Sequence, residues 1–281
     1  MIDPYYLNKL IDSALEEDIG DGDHTSLSCI PKEKEGKAQL IIKEKGILAG
    51  VEVAIHTLHR FDNSLKVTVF INDGAKVFPG DVAFFVEGRV ISILQCERVV
   101  LNIMQRMSGI ATVTREYADM LTGLKTKILD TRKTSPGLRF LEKEAVRIGG
   151  GVNHRMGLYD MILLKDNHID YAGGIKKAIL LVNDYLSRNN LNLKIEIEAR
   201  SIDDVKTIIE TGGIDIIMLD NFNITDLKYA VNMIDGKYET EASGGITLET
   251  IRSYAECGVD FISVGALTHH IKSLDMSLKA F

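Results

Sequence analysis

Between Asp130 and His168 the chain reads DTRKTSPGLRFLEKEAVRIGGGVNHRMGLYDMILLKDNH. Seven Lys and Arg stand there against five Asp and Glu, although the whole chain carries a net charge of -7. A cationic stretch in an acidic protein suits a small anion, whereas a nucleic-acid binder presents a broad basic face. Arg132, Lys133, His154 and Arg155 are its informative members. They sit beside a strand end, a Pro-Gly turn and a Gly-Gly-Gly run, where helix-surface logic does not apply. Arg139, Lys143 and Arg147 recur at i, i+4 and i+8 beside Glu142 and Glu144, which reads as a solvated helix face. Glu198 and Asp220 add two carboxylates at the ends of apolar runs. Such groups can hold Mg²⁺, ribose hydroxyls or positive charge developing on a sugar carbon.

The elements that must position these residues follow from periodicity. After Lys125, short apolar runs alternate with amphipathic segments of helical period, the pattern of βα units and a parallel sheet. The runs are 128–129, 161–164, 193–197, 214–219, 238–242 and 261–264, and the helices are expected near 138–148, 174–188, 201–211, 224–234 and 247–257. Charged residues follow the first four runs: Asp130 and Arg132, Lys165 and Asp166, Glu198 and Arg200, and Asp220. In a sheet that closes on itself the C-terminal strand ends converge, and barrel enzymes keep their chemistry there. The spacing therefore predicts a (β/α) barrel, incomplete because eight strands are not visible. Ser243-Gly244-Gly245, expected just before a helix near Thr247, and Val264-Gly265-Ala266 after the last run let backbone N–H groups approach a phosphate.

The first hundred residues have another character. Asp3-Pro4 predicts a capped helix start, and Gly20 its end. Alternating runs at 38–45 and 65–70, a helix over 51–60 and a β segment at 82–87 predict an α+β layer. The segment 91–107 is expected to be helical, broken by Gly109 before a second helix from about Ala111 to Leu121. The predicted organisation is an N-terminal domain over 1–108 and a barrel domain over 109–281.

The 281 residues give ample room for a buried core, and 45% apolar with 26% charged content is ordinary for a globular chain. No stretch approaches the about 20 apolar residues that span a bilayer. The first eighteen residues lack the basic and apolar regions of a secretory leader. The three cysteines, Cys29, Cys96 and Cys257, lack metal-site spacing and are expected to be reduced thiols of a cytoplasmic protein.

A phosphate cradle, clustered Arg, Lys and His, and two carboxylates together meet the needs of phosphoribosyl transfer. The segments EDIGDGD, ILAG, ERVVLNIMQRMSGIAT, DTRKTSPGLR, KEAVRIGGGVNHRMGLYDMILLKDNH, IEIEA, IMLDNF, EASGGI and ISVGALTH run from Glu17 to His269. In them the chain resembles the nicotinate-nucleotide pyrophosphorylase (quinolinate phosphoribosyltransferase) family. Ser135 stands where that family often has threonine, and His24 where it tends to have an apolar residue.

The resemblance implies an N-terminal α/β sandwich, an incomplete barrel of the type II phosphoribosyltransferase kind, and a homodimer with shared sites. It implies conversion of quinolinate and phosphoribosyl pyrophosphate to nicotinate mononucleotide, pyrophosphate and CO2, with Mg²⁺ and with no nucleic acid or membrane as partner. By motif, Arg132, His154, Arg155 and Lys165 would hold the two quinolinate carboxylates, with Arg98 reaching in from the second subunit. Thr131 would line the site and Lys133 contact the pyrophosphate. Glu198 and Asp220 would serve the ribose and its metal, directly or through water; with Lys133 they would be the catalytic groups. Ser243, Gly244, Gly245, Val264, Gly265, Ala266 and His269 would hold the 5′-phosphate.

Overall fold

Proline has no N–H to lose at a helix start, and an aspartate before it can accept an orphan donor. Helix Pro4–Ile19 begins in this way in the computed structural model, which describes residues 2–281: Asp3 accepts from the Tyr5 N–H at 2.9 Å. Gly20 ends it in a positive-φ conformation, as expected. In chain order the strands are β1 (Glu35–Ile42), β2 (Gly46–Ile47), β3 (Lys66–Val69), β4 (Lys76–Val77), β5 (Val82–Arg89), β6 (Lys127–Leu129), β7 (Ile162–Leu164), β8 (Ile195–Ala199), β9 (Ile216–Asp220), β10 (Glu239–Ser243), β11 (Phe261–Ser263) and β12 (Met276–Ala280). They fall into two compact units.

The first unit comprises the chain up to Arg115 together with Thr134–Gly150 and Leu267–Phe281. Its main sheet has the order β12-β1-β5-β3 and is antiparallel throughout. Along β1, Ala38, Leu40 and Ile42 are buried while their neighbours are not, the alternation that a one-faced sheet requires. The edge strand β12 comes from the C-terminus of the chain, in register with β1 from Ala38 opposite Ala280 to Ile42 opposite Met276. The first unit is therefore assembled from separate parts of the chain. No short-range pattern announces that the last strand returns to the first sheet.

Two local readings change in this unit. The helix Val90–Met120 runs unbroken through Gly109. This glycine is required by a neighbour: a Cβ there would collide with the carbonyl oxygen of Lys272 and lie 3.2 Å from the Ser273 Cα. Glu142 and Lys143 are not on a solvated face but are 1% exposed. Glu142 takes Arg106 at 2.6 Å and the Ser135 N–H at 3.3 Å. The Arg147–Glu144 pair, also 2.6 Å, behaves as the surface pair the spacing suggests.

The second unit comprises Glu116–Lys133 and Gly151–Ala266. It holds a six-stranded, wholly parallel sheet of order β6-β11-β10-β9-β8-β7. All six strands lie where the apolar runs place them. Its edge strands, β6 and β7, come first and second in chain order, so the sheet stays open between them; the segment joining them returns through one bridge, Leu129 to Val152. Helices Ile175–Arg188, Ile202–Thr211 and Ile224–Ile234 match expectation closely. Ile251–Ala255 starts later than expected, because Thr247 to Thr250 form a turn in which the Thr250 hydroxyl accepts the Thr247 N–H at 3.0 Å. Among the described residues no helix is long and apolar enough to cross a membrane.

Replacing Gly109 with valine should lower the thermal midpoint, with a loss of about 1–3 kcal/mol from overpacking against backbone that cannot yield as a side chain can. Chemical denaturation of Gly109→Val beside the parent reads this directly. An unchanged midpoint would mean that the Lys272–Ser273 backbone does not pass so close.

Candidate active site

The C-terminal ends of the parallel strands carry the predicted groups of the second unit, and burial determines how they are arranged. Asp130, directly after β6, is fully buried. It accepts the His154 N–H at 3.0 Å and the Asn153 side-chain amide at 2.5 Å, and so ties the end of β6 to the loop that enters β7. The Thr131 hydroxyl accepts the Lys133 N–H at 3.1 Å, shaping a tight turn that leaves Lys133 exposed.

Arg132 and Arg155 are the electrostatic centre. Arg155 is 8% exposed and donates to the Met161 carbonyl at 3.2 Å. Its pKa is held below the usual guanidinium value first by burial and then by the nearby charge of Arg132. The Arg132 Nε is itself buried with no hydrogen-bond partner. An orphaned buried donor beside a second desolvated guanidinium is costly unless an anion completes it.

Lys165 and Glu198 form the next wall. Glu198, at the end of β8, takes the Lys165 ammonium at 3.2 Å and the Asp166 N–H at 3.0 Å, one on each oxygen. Asp220 closes β9 and is half-buried; it accepts from the Asn221 amide at 2.7 Å. The β9–β10 register sets Ser243 beside Asp220. Gly244 has φ +99°, and a Cβ there would lie 2.9 Å from the Asn221 backbone nitrogen, so only glycine permits this crossing. Gly245 also has positive φ, and nothing lies within 4 Å of where its Cβ would be. The Ser243-Gly244-Gly245 loop therefore offers open backbone, but it leads into the Thr247 turn rather than the helix N-terminus expected there. Val264 is buried and its N–H bonds the Leu129 carbonyl at 3.0 Å, which aligns the loop Gly265-Ala266 with the end of β6.

The unit thus contains Thr131, Arg132, Lys133, His154, Arg155, Lys165, Glu198, Asp220, Ser243, Gly244, Gly245, Val264, Gly265 and Ala266. Arg98 and His269 belong to the first unit. There Arg98 is exposed and lines a cleft of about 270 Å³ with Leu10, Asn102, Arg106 and Glu142; His269 is exposed at the end of the short helix Ala266–His269.

Two carboxylates escaped the sequence reading. Glu196 and Glu241 are 0% and 1% exposed, and both meet His154, at 2.8 Å and 3.6 Å from its Nε2. Burial is the main force pushing both pKa values upward, and their mutual contact keeps Glu241 well above the carboxylate range. The alternation in IEIEA could have found Glu196, because residues two apart share a strand face with Glu198. His154, Glu196 and Glu241 are also the group best disposed to hold a metal among the described residues. The 2.8 Å contact is nevertheless a hydrogen bond, and ligands at about 2.0–2.1 Å from a tetrahedral ion would sit farther apart.

Comparison with known proteins identifies the family. Residues 23–108 match the family profile "Quinolinate phosphoribosyl transferase, N-terminal domain", and residues 110–279 match its C-terminal counterpart. A mitochondrial quinolinate phosphoribosyltransferase [decarboxylating] of Nicotiana glauca is 47% identical, covering 98% of this chain and 82% of the relative. A probable nicotinate-nucleotide pyrophosphorylase [carboxylating] of Bacillus subtilis is 42% identical over 97% of this chain and 92% of the relative. Among solved structures, the nicotinate-nucleotide pyrophosphorylase of Francisella tularensis superposes with a TM-score of 0.93 at 40% identity, covering 100% and 98% of the two chains. Matched in both domains and along nearly its whole length, the chain belongs to the quinolinate phosphoribosyltransferase family.

Proposed function

We propose that the protein transfers the phosphoribosyl group of phosphoribosyl pyrophosphate to quinolinate with loss of one carboxylate, giving nicotinate mononucleotide, pyrophosphate and CO2 as a step of NAD biosynthesis. The observation that carries this reading is the buried, unpartnered Nε of Arg132 beside the desolvated guanidinium of Arg155. A planar dicarboxylate satisfies both through paired, charge-assisted hydrogen bonds.

Arg132, Arg155 and Lys165, with His154 beside them, form the quinolinate end. The loops Ser243-Gly244-Gly245 and Val264-Gly265-Ala266 take the 5′-phosphate. Glu198 and Asp220 face the ribose. The pyridine nitrogen attacks C1 of the ribose as the C1–O bond to pyrophosphate breaks, and the two carboxylates stabilise the positive charge that passes over the sugar. Lys133 neutralises the departing pyrophosphate. The positive charge of the now quaternary ring nitrogen stabilises the electron pair left on the adjacent ring carbon as its carboxylate leaves as CO2, and that pair then takes up a proton.

Magnesium fits the oxygen donors of this site. Glu198 already bonds through both oxygens, so Mg²⁺ would be held there and by Asp220 through its own water, as this ion prefers. When bound it would supply charge neutralisation at the pyrophosphate. A homodimer, with Arg98 of a second copy completing the quinolinate end, is part of the proposal. Three free thiols, Cys29, Cys96 and Cys257, suit a reducing compartment such as the cytoplasm.

Incubation with quinolinate, phosphoribosyl pyrophosphate and Mg²⁺ should yield nicotinate mononucleotide and CO2, both detectable by mass. Absence of both products, with nicotinate equally inert in parallel, would reject the substrate assignment. Arg132→Lys should lower kcat/KM for quinolinate at least about tenfold, because an ammonium cannot form the bidentate fork. Steady-state kinetics at saturating phosphoribosyl pyrophosphate measure this, and unchanged constants would remove Arg132 from the site.

A further inference from the structure

Two fully buried glutamates remain without a role in that chemistry. Along β8 and β10, Glu196 and Glu241 each lie two residues before a site residue, Glu198 and Ser243. Two residues of strand span about 6.6 Å, which sets each of them that far below the site residue on its own strand. An interior of this kind is normally apolar, and two adjacent carboxyls there are expensive to bury.

What they hold is the ring of His154. Its side chain is 8% exposed, and both ring nitrogens are engaged within the protein. The Arg155 backbone N–H donates to Nδ1 at 2.7 Å. A nitrogen that accepts carries no proton, so this bond assigns the neutral tautomer with hydrogen on Nε2. That Nε2–H donates to the Glu196 carboxyl at 2.8 Å, and Glu241 stands 3.6 Å from the same nitrogen. The ring is thus a strut between a buried carboxyl pair and the backbone of the arginine beside it.

We propose that Glu196 and Glu241 are positioning residues for quinolinate: through the His154 ring they set the Arg155 backbone, and with it the guanidinium that meets the substrate carboxylate. The proposal rests on the quinolinate reading of the site. His154 then acts from behind Arg155, and its specificity contribution is the angle at which that guanidinium is presented. The Asp130 bond to the His154 N–H fixes the preceding peptide. Arg155 has little freedom left once the ring is locked, which is the preorganisation a dicarboxylate site needs.

Kinetics of Glu196→Ala, Glu196→Gln, Glu241→Ala and Glu241→Gln test this against both substrates. Both alanine variants should raise the quinolinate KM, Glu196→Ala at least about tenfold because it orphans the buried Nε2 donor, and leave the phosphoribosyl pyrophosphate KM within about twofold. The glutamine variants, which keep an acceptor and can donate to the remaining carboxyl, should stay within about threefold of the parent. Equal rises in both KM values, or glutamine no better than alanine, would overturn the proposal. Nitrogen-15 NMR of the histidine-labelled parent provides a second readout, with the signal assigned by its loss in His154→Asn. An Nε2–H ring supports the strut; an Nδ1–H or charged ring refutes it, even where the alanine variants do not fold. Failure of the parent to turn over quinolinate would reject the substrate reading alone, because the ring tautomer is read without activity.

Discussion

A buried ionisable group must find a partner or lose its charge, and the second unit is built around that constraint. Asp130, Arg155, Glu196, Glu198 and Glu241 are all 9% exposed or less at the carboxyl ends or inner layer of a parallel sheet. Each is held by specific bonds: Asp130 by the 153–154 loop, Glu198 by Lys165 and the Asp166 backbone, Glu196 by His154. Asp130 and Glu198 are satisfied internally, whereas the Arg132 Nε, like one oxygen each of Glu196 and Glu241, is buried without a hydrogen-bond partner. The unpartnered guanidinium donor is the feature that suits an anion, even though the whole chain is acidic.

The fold supplies what such a receptor requires. The sheet is open between β6 and β7, and the loop that crosses this gap carries His154 and Arg155. A continuous strand pair there would have engaged the backbone amides in a ladder; the open edge leaves Asp130 to organise them instead. In the loop after β10, nothing lies within 4 Å of where a Cβ on Gly245 would stand. On the proposed reading, guanidinium groups meet the carboxylates of one substrate and backbone N–H groups the phosphates of the other.

Much of this was legible in the order of residues. Apolar runs of two to six residues alternating with helical periods located all six parallel strands, because a strand buried on both faces has no other way to be written. Charges directly after those runs located Asp130, Arg132, Lys165, Glu198 and Asp220, since a charge at a strand end has few structural reasons to be there. Where local pattern misled, a distant segment was responsible. Gly109 looked like a helix break because its use is to admit the Lys272 backbone, more than a hundred residues away. Glu142 and Lys143 looked solvated because nothing local reveals that Arg106 comes to meet Glu142. The C-terminal strand β12 was silent for the same reason, its partner being β1.

The sequence by itself determined the chemistry available: which strands end in which charges, where backbone is bare, and which family motifs span the chain. Tertiary structure decided which of those groups satisfy one another. Glu196 and Glu241 lie on strands separated by β9, and the register sets Glu241 level with Glu198 rather than with Glu196. They nevertheless converge on one imidazole nitrogen, because strand stagger brings side chains of different levels together inside the sheet. Periodicity reports which face a side chain takes; it carries no information about the distance across the interior to the next one, and that distance makes His154 a strut and leaves Arg132 open to an anion.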